Sequence, residues 1–132
     1  MVHKEVIAPS GLGEPIGPFV RGIRAGGVAV ISGTSALSHV KGPFESREMP
    51  GDFESQARLT FKNLEVALQA AGLGWEDAIK MMVIIKRRED YARMNAIRKE
   101  LFEDIPMAST TFVAELIRED MLIEVDVWAV AP

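Results

Sequence analysis

Phe19-Val-Arg-Gly-Ile-Arg-Ala-Gly-Gly-Val-Ala-Val-Ile-Ser32 is the stretch that decides the architecture. Two extended runs, Phe19–Arg24 and Val28–Ser32, flank Ala25-Gly26-Gly27, and a Gly-Gly step supplies the positive φ angles a tight hairpin turn demands. The stretch predicts a β-hairpin. Its second arm adds a further constraint. Side chains alternate across a strand, so the unbroken apolar run Val28–Ile31 requires cover on both faces. Met81–Ile85 makes the same demand.

Outward from the hairpin, His3–Ile7 reads as a first strand, ended by Pro9 and the Gly11/Gly13 pair. Residues 33–51 hold Gly33, Gly42, Pro43, Pro50 and Gly51 without periodicity. Structureless loops beyond ~12–15 residues are uncommon, so this one reads as a surface excursion or a functional element. A helix starts near Asp52, a good N-cap, and ends before Gly72, a good C′ residue. Ala57, Phe61, Leu64, Leu68 and Ala71 form its apolar stripe, with Glu54, Arg58 and Lys62 opposite. Ile79–Lys86 reads as a strand. A second helix spans about Asp90–Glu103, with Tyr91, Met94, Ile97 and Leu101 inward, and Pro106 bars its continuation. Ser109–Glu115 and Met121–Val130 read as a closing strand pair. The last strand puts Ile123, Val125, Val127 and Ala129 on one face and Glu124, Asp126, Trp128 and Val130 on the other.

The result is an α+β fold, one sheet with two helices, in a single domain over residues 1–132. Two helices cover only one sheet face. The other must find cover outside the chain, which predicts a homo-oligomer with small-molecule ligand sites in grooves between copies.

Composition narrows the function classes. The chain has 132 residues, 15 basic against 19 acidic side chains, 48% hydrophobic residues and no cysteine. An acidic balance argues against a nucleic-acid partner. Absence of cysteine excludes disulfides, thiol nucleophiles and thiolate metal sites. The apolar runs fall far short of the ~20 residues of a membrane span, which predicts no membrane partner. Glu5, Pro9, Glu14 and Pro15 stand where a signal peptide needs an apolar core, so the expected location is cytoplasmic.

Few residues carry a chemical signature. Ser38-His39-Val40-Lys41 has the bare S-x-x-K spacing of serine acyl enzymes but lacks the partner motifs and larger fold that chemistry needs. His3 and His39 are far apart and without ligand spacing, so no metal site is expected. Gly11-x-Gly13 lacks the strand and helix of a phosphate cradle and reads as a turn. Lys86-Arg87-Arg88 reads as a solvated strand end. Glu124 and Asp126 differ. At i and i+2 on one strand face, they place like charges at close range: burial of that face would raise one pKa toward acid–base use, whereas a solvent-facing pair would only discourage strand aggregation.

Several short motifs, in order, carry a resemblance. They are Ile16-Gly17-Pro18-Phe19, Ile31-Ser32-Gly33, Gln56-Ala57-Arg58 with Asn63-Leu64, and Ala70-Ala71-Gly72. Asn95 beyond Tyr91, Pro106 before Ser109, and Ile123-Glu124-Val125 complete the set. Over about residues 14–130 the chain resembles the Rid family of reactive intermediate (enamine/imine) deaminases, also known as RidA or YjgF proteins and historically as L-PSP endoribonucleases. The resemblance implies a chorismate-mutase-like fold, a homotrimer with clefts between subunits, and hydrolysis of 2-imino or enamine acids to 2-keto acids and ammonia without a cofactor. It also implies a catalytic Glu124 that orients water, and substrate contacts from Phe19, Ser32, Gly33, Thr34, Asn95, Met107, Ala108 and Ser109.

Two departures stand out. The resemblance puts a carboxylate-gripping arginine where this chain has Ala108, and a tyrosine is common where it has Phe19. A hydrogen bond to a charged group is worth roughly 1.5–3 kcal/mol, so the first loss weakens 2-imino acid binding roughly ten- to a hundredfold. Weak activity on simple 2-imino acids is the expectation. A ligand without a carboxylate there, or one held by another cation such as Arg21 or Arg118, is the alternative, and so is a trimer that binds without turnover. RNA cleavage or translation inhibition is disfavoured by the net charge of −4 and the lack of a histidine pair.

Overall fold

A computed structural model describes residues 2–132. The strands are β1 (Lys4–Ile7), β2 (Gly22–Ala25), β3 (Val28–Thr34), β4 (Ala78–Ile85), β5 (Ala108–Val113) and β6 (Ile123–Val130). The helices are α1 (Phe53–Ala70), between β3 and β4, and α2 (Tyr91–Phe102), between β4 and β5. All six strands join one mixed sheet in the order β1-β2-β3-β6-β4-β5.

The hairpin forms, with Ala25 opposite Val28 and Gly26 at φ +59°, but its first arm is Gly22–Ala25 rather than Phe19–Arg24, residues 19–21 lying outside the strand; of the two turn glycines only Gly26 takes the left-handed region. Asp52 caps α1 by accepting from Ser55 N–H at 2.9 Å. At the other end Gly72 (φ +75°) lets Leu73 N–H return to Leu68 C=O and its own N–H to Gln69 C=O, which closes a Schellman motif.

Both helices pack on one sheet face around a single core that includes Ile31, Leu64, Leu68, Met81, Met94, Val83, Val125 and Val127. The opposite face carries Val30, Met82, Ile84, Trp128 and Val130, none of them buried. The two apolar runs are thus covered on one side only.

Three expectations change. First, Ser109–Glu115 and Met121–Val130 do not pair with each other. β6 inserts between β3 and β4, antiparallel to both, while β5 runs parallel to β4 at the sheet edge. The α2 connection explains this, since a helical crossover returns the chain in the same direction. Second, Tyr91 and Leu101 lie outward. Phe102 takes the inner position instead, its ring 5.3 Å from Phe61 and 4.4 Å from Trp75. Third, residues 33–51 are less irregular than expected. β3 continues to Thr34, residues 34–38 are buried, and Phe44–Ser46 form a 3-10 turn.

Candidate functional site

Glu124 is held in place by its backbone neighbours. In the β3–β6 ladder Ile31 faces Val127 but Thr34 faces Val125, so β3 carries one extra residue at Ser32-Gly33. Such a bulge re-aims side chains beside it. Gly33 leaves the room: a Cβ on it would lie 2.2 Å from Glu124 Oε1 and would push the carboxylate aside. The carboxylate therefore rests on the bare backbone of Gly33.

Two polar side chains of α1 fix the segments on either side. Gln56, 1% exposed, donates to Pro50 C=O and Asp120 C=O and accepts from Leu122 N–H at 2.8 Å, which ties the helix to the approach of β6. Asn63 donates to Ser35 C=O at 2.8 Å and anchors the chain beyond the bulge.

Among the described residues no hydrogen bond or ion pair reaches the Glu124 carboxylate. Burial raises its pKa, and the Asp126 charge on the same strand face raises it further. Asp126 is raised too, by burial, with a backbone hydrogen bond and Lys80 opposing. The like-charge pair read from the strand pattern is real, and Glu124 is its unpartnered member.

Glu124 and Gly33 line a small cavity of about 60 Å³ with Phe19, Leu37, Arg21 and Arg47. Phe19 also borders a larger open recess of about 510 Å³. The two arginines are buried and hold the loops together. Arg21 donates to Gly13, Glu14 and Ser38 carbonyls, and Arg47 to Gly42 and Glu14 carbonyls. Ser32 and Thr34 have committed hydroxyls, which donate to Val20 C=O and Ser32 C=O. Arg118, considered above as a spare cation, is engaged by Asp120 at 2.6 Å and by Phe44 C=O.

Asn95, Met107, Ala108 and Ser109 lie elsewhere. Ala108 pairs with Lys80 and Glu124 with Ile84, two strands apart and four residues along β4. Standard sheet spacings put them roughly 16 Å apart. One chain therefore presents two groups, Phe19/Ser32/Gly33/Thr34/Glu124 and Asn95/Met107/Ala108/Ser109.

The second group holds a residue the sequence reading passed over. Arg98 donates to Asn95 Oδ1 at 2.7 Å and to Ser109 Oγ. Its i, i+3 spacing from Asn95 on one helix was the available signal. No group of three metal-ligating side chains occurs among the described residues. No helix there is long and apolar enough to cross a membrane.

The sequence model of the family described as Endoribonuclease L-PSP matches residues 11–131. The chain belongs to that family, the Rid or YjgF proteins. Among its curated L-PSP relatives, the reactive intermediate deaminase TdcF of Escherichia coli, so named with a "putative", is 33% identical over 96% of this chain and 97% of its own. A RutC family protein of Pyrococcus horikoshii is 32% identical over 93% and 94%. Of solved L-PSP folds, E. coli TdcF with bound serine superposes at TM-score 0.85, with 27% identity across the superposition and coverage of 97% and 99%. The E. coli YjgF gene product superposes at TM-score 0.84, also at 27% identity and with the same coverage.

Proposed function

We propose that this Rid-family protein binds a small imine or enamine in clefts between copies of itself and hydrolyses it to a carbonyl compound and ammonia. The observation that carries the reading is the half-buried, unpartnered Glu124 carboxylate seated on Gly33. An enamine first gains a proton at its β-carbon to give the iminium, and an imine gains one at nitrogen. Glu124 takes a proton from water as the oxygen bonds to the iminium carbon, forming a carbinolamine. That proton passes to nitrogen, the C–N bond breaks, ammonia leaves and the hydroxyl proton is lost to give C=O. Atoms balance as imine plus water to carbonyl plus ammonia, with no cofactor. Phe19 packs against the substrate, and backbone amides near Ala108 and Ser109 polarise the developing charge.

Two features support a site shared between copies. The residues implied by the resemblance form two groups roughly 16 Å apart in one chain, and the sheet face that bears Glu124 is apolar yet uncovered. A homotrimer packed through that face would bring the groups of neighbouring copies together. The serine bound to TdcF, an amino acid, is consistent with ligands of this size.

Ammonia release from imines made in situ by an amino-acid oxidase tests the chemistry. Wild type should accelerate it, while Glu124→Ala and Gly33→Ala should fall close to the protein-free rate. Equal rates with and without wild-type protein would overturn the catalytic reading. A second reading, binding without turnover, is favoured by the Ala108 methyl where the resemblance places a guanidinium. Ala108→Arg separates the two: a gain of 2-imino acid hydrolysis means the remaining machinery is intact.

A further inference from the structure

The cavity that holds Glu124 has two kinds of wall. Its buried cations, Arg21 and Arg47, give their donors to backbone carbonyls and leave none aimed at a ligand. The rest of the lining includes Ile16, Phe19, Phe44 and Ile117. Three of these four are exposed, Ile117 at 74%. Large apolar side chains left in water around a lone carboxylate are suited to meet an apolar group on a ligand.

Phe44 is the member of this set that needs holding. It opens the single 3-10 turn Phe44–Ser46 in the long connection between β3 and α1. Arg47 steadies one end of that turn through the Gly42 and Glu14 carbonyls. Apart from this, among the described residues only one hydrogen bond reaches residues 43–46 from the rest of the chain. It comes from Arg118, whose Nη1 donates to Phe44 C=O at 2.7 Å. The same guanidinium lies over the Phe44 ring, 5.5 Å from its centroid. Its other edge meets both Asp120 oxygens, Nε to Oδ1 at 2.7 Å and Nη2 to Oδ2 at 2.6 Å. Such a bidentate pair fixes the plane of the fork. Asp120 is tied to the helix in turn, since its C=O accepts from the buried Gln56 of α1 at 3.0 Å. A chain of contacts thus runs from α1 through Asp120 and Arg118 to the Phe44 ring.

We infer that Arg118 is a positioning residue of this site: oriented by Asp120, it clasps Phe44 in place as an apolar wall that, with Ile117, selects ligands bearing an apolar substituent. With its donors so committed, Arg118 acts on the ligand through Phe44 and not as a counter-ion. The inference rests on the proposed ligand site at Glu124. It adds the residues that set preference there.

Two stable keto acids serve as probes in isothermal titration with the full chain: 4-methyl-2-oxopentanoate, with an apolar substituent, and hydroxypyruvate, with a polar one. Wild type should bind the first more tightly. Arg118→Met, which keeps an unbranched apolar stem, should weaken that binding about three- to tenfold, the loss expected for a partly exposed charge pair. Arg118→Lys should restore part of it, because an ammonium still donates to Phe44 C=O. Asp120→Asn should reproduce the defect, and the double variant Arg118→Met/Asp120→Asn should be no worse than Arg118→Met alone, as for two residues acting as one unit. Hydrogen exchange should quicken in Arg118→Met at the amides of residues 44–47 and stay unchanged in α1. Absent binding of 4-methyl-2-oxopentanoate, equal affinity for the two acids in wild type, unaltered affinity in Arg118→Met, or unaltered exchange at residues 44–47 overturns the inference. Ammonia release keeps the two claims apart. Arg118-dependent binding without Glu124-dependent hydrolysis sinks only the catalytic reading, and hydrolysis whose preference for apolar imines survives Arg118→Met sinks this inference alone.

Discussion

The two faces of β6 make different demands on the molecule. Ile123, Val125, Val127 and Ala129 are at most 1% exposed beneath the helices, while Glu124, Asp126 and Trp128, interleaved with them, are only partly covered. One strand thus serves a finished interior on one side and an unfinished surface on the other. The contrast teaches where each kind of free energy resides. The covered face stabilises the single chain, and the open face holds apolar area in reserve beside two carboxylates whose charged forms burial disfavours.

The sharpest way to break this contrast is on the covered side. Ile31 is fully buried in the core, and Ile31→Ala should cost about 2–5 kcal/mol and lower the thermal midpoint by many degrees. A midpoint close to wild type would mean the helix-covered face is not the source of stability. Next comes the open side. Trp128→Glu adds a charge beside Val30 and Lys80, its cross-strand partners. If the proposed homotrimer packs through this face, the change should leave far-UV circular dichroism intact but shift sedimentation from trimer to single copies. Sedimentation unchanged from wild type would refute packing of the proposed homotrimer through this face. The smallest effect belongs to Glu124. Its folded pKa is raised, so at low pH, with the carboxyl protonated in both states, it costs nothing. The penalty grows as pH rises from the ordinary glutamate range through the raised value. Glu124→Gln should therefore be modestly more stable than wild type near neutrality and should match it in acid. Chemical denaturation across pH checks this, and a parallel offset at every pH would refute it.

These contrasts also mark what the sequence disclosed. Val28–Ile31 and Met81–Ile85 announced strands needing cover on both sides, because alternation is a local property of the chain. Glu124 and Asp126 on one face were legible for the same reason. The partner of β6 was not, since nothing local in Ile123–Val130 says whether β5 or β4 lies beside it. The direction of β5 was legible in principle, because a helix between two strands is the signature of a parallel crossover. In α2 the choice between Leu101 and Phe102 turned on a long-range event, the stacking of Phe102 on Phe61 and Trp75. At the candidate site, Glu124 could be picked out from the strand pattern. The bulge at Gly33 could not, because it arises from a mismatch between two strands far apart in sequence. Arg98 was hidden by its ordinariness, a basic residue on an exposed-looking helix whose setting emerges only when β5 comes alongside.

The placement of β6 carries a consequence for biosynthesis. β1–β3 form one antiparallel panel and β4–β5 a parallel one, and β6 is the seam between them. Of the six strands it is translated last. A nascent chain can assemble each panel early but cannot stitch them until residues 123–130 have left the ribosome, and until then the apolar edges of β3 and β4 stand open to other chains. Mutations that weaken the seam should therefore harm yield in the cell more than they harm the finished fold.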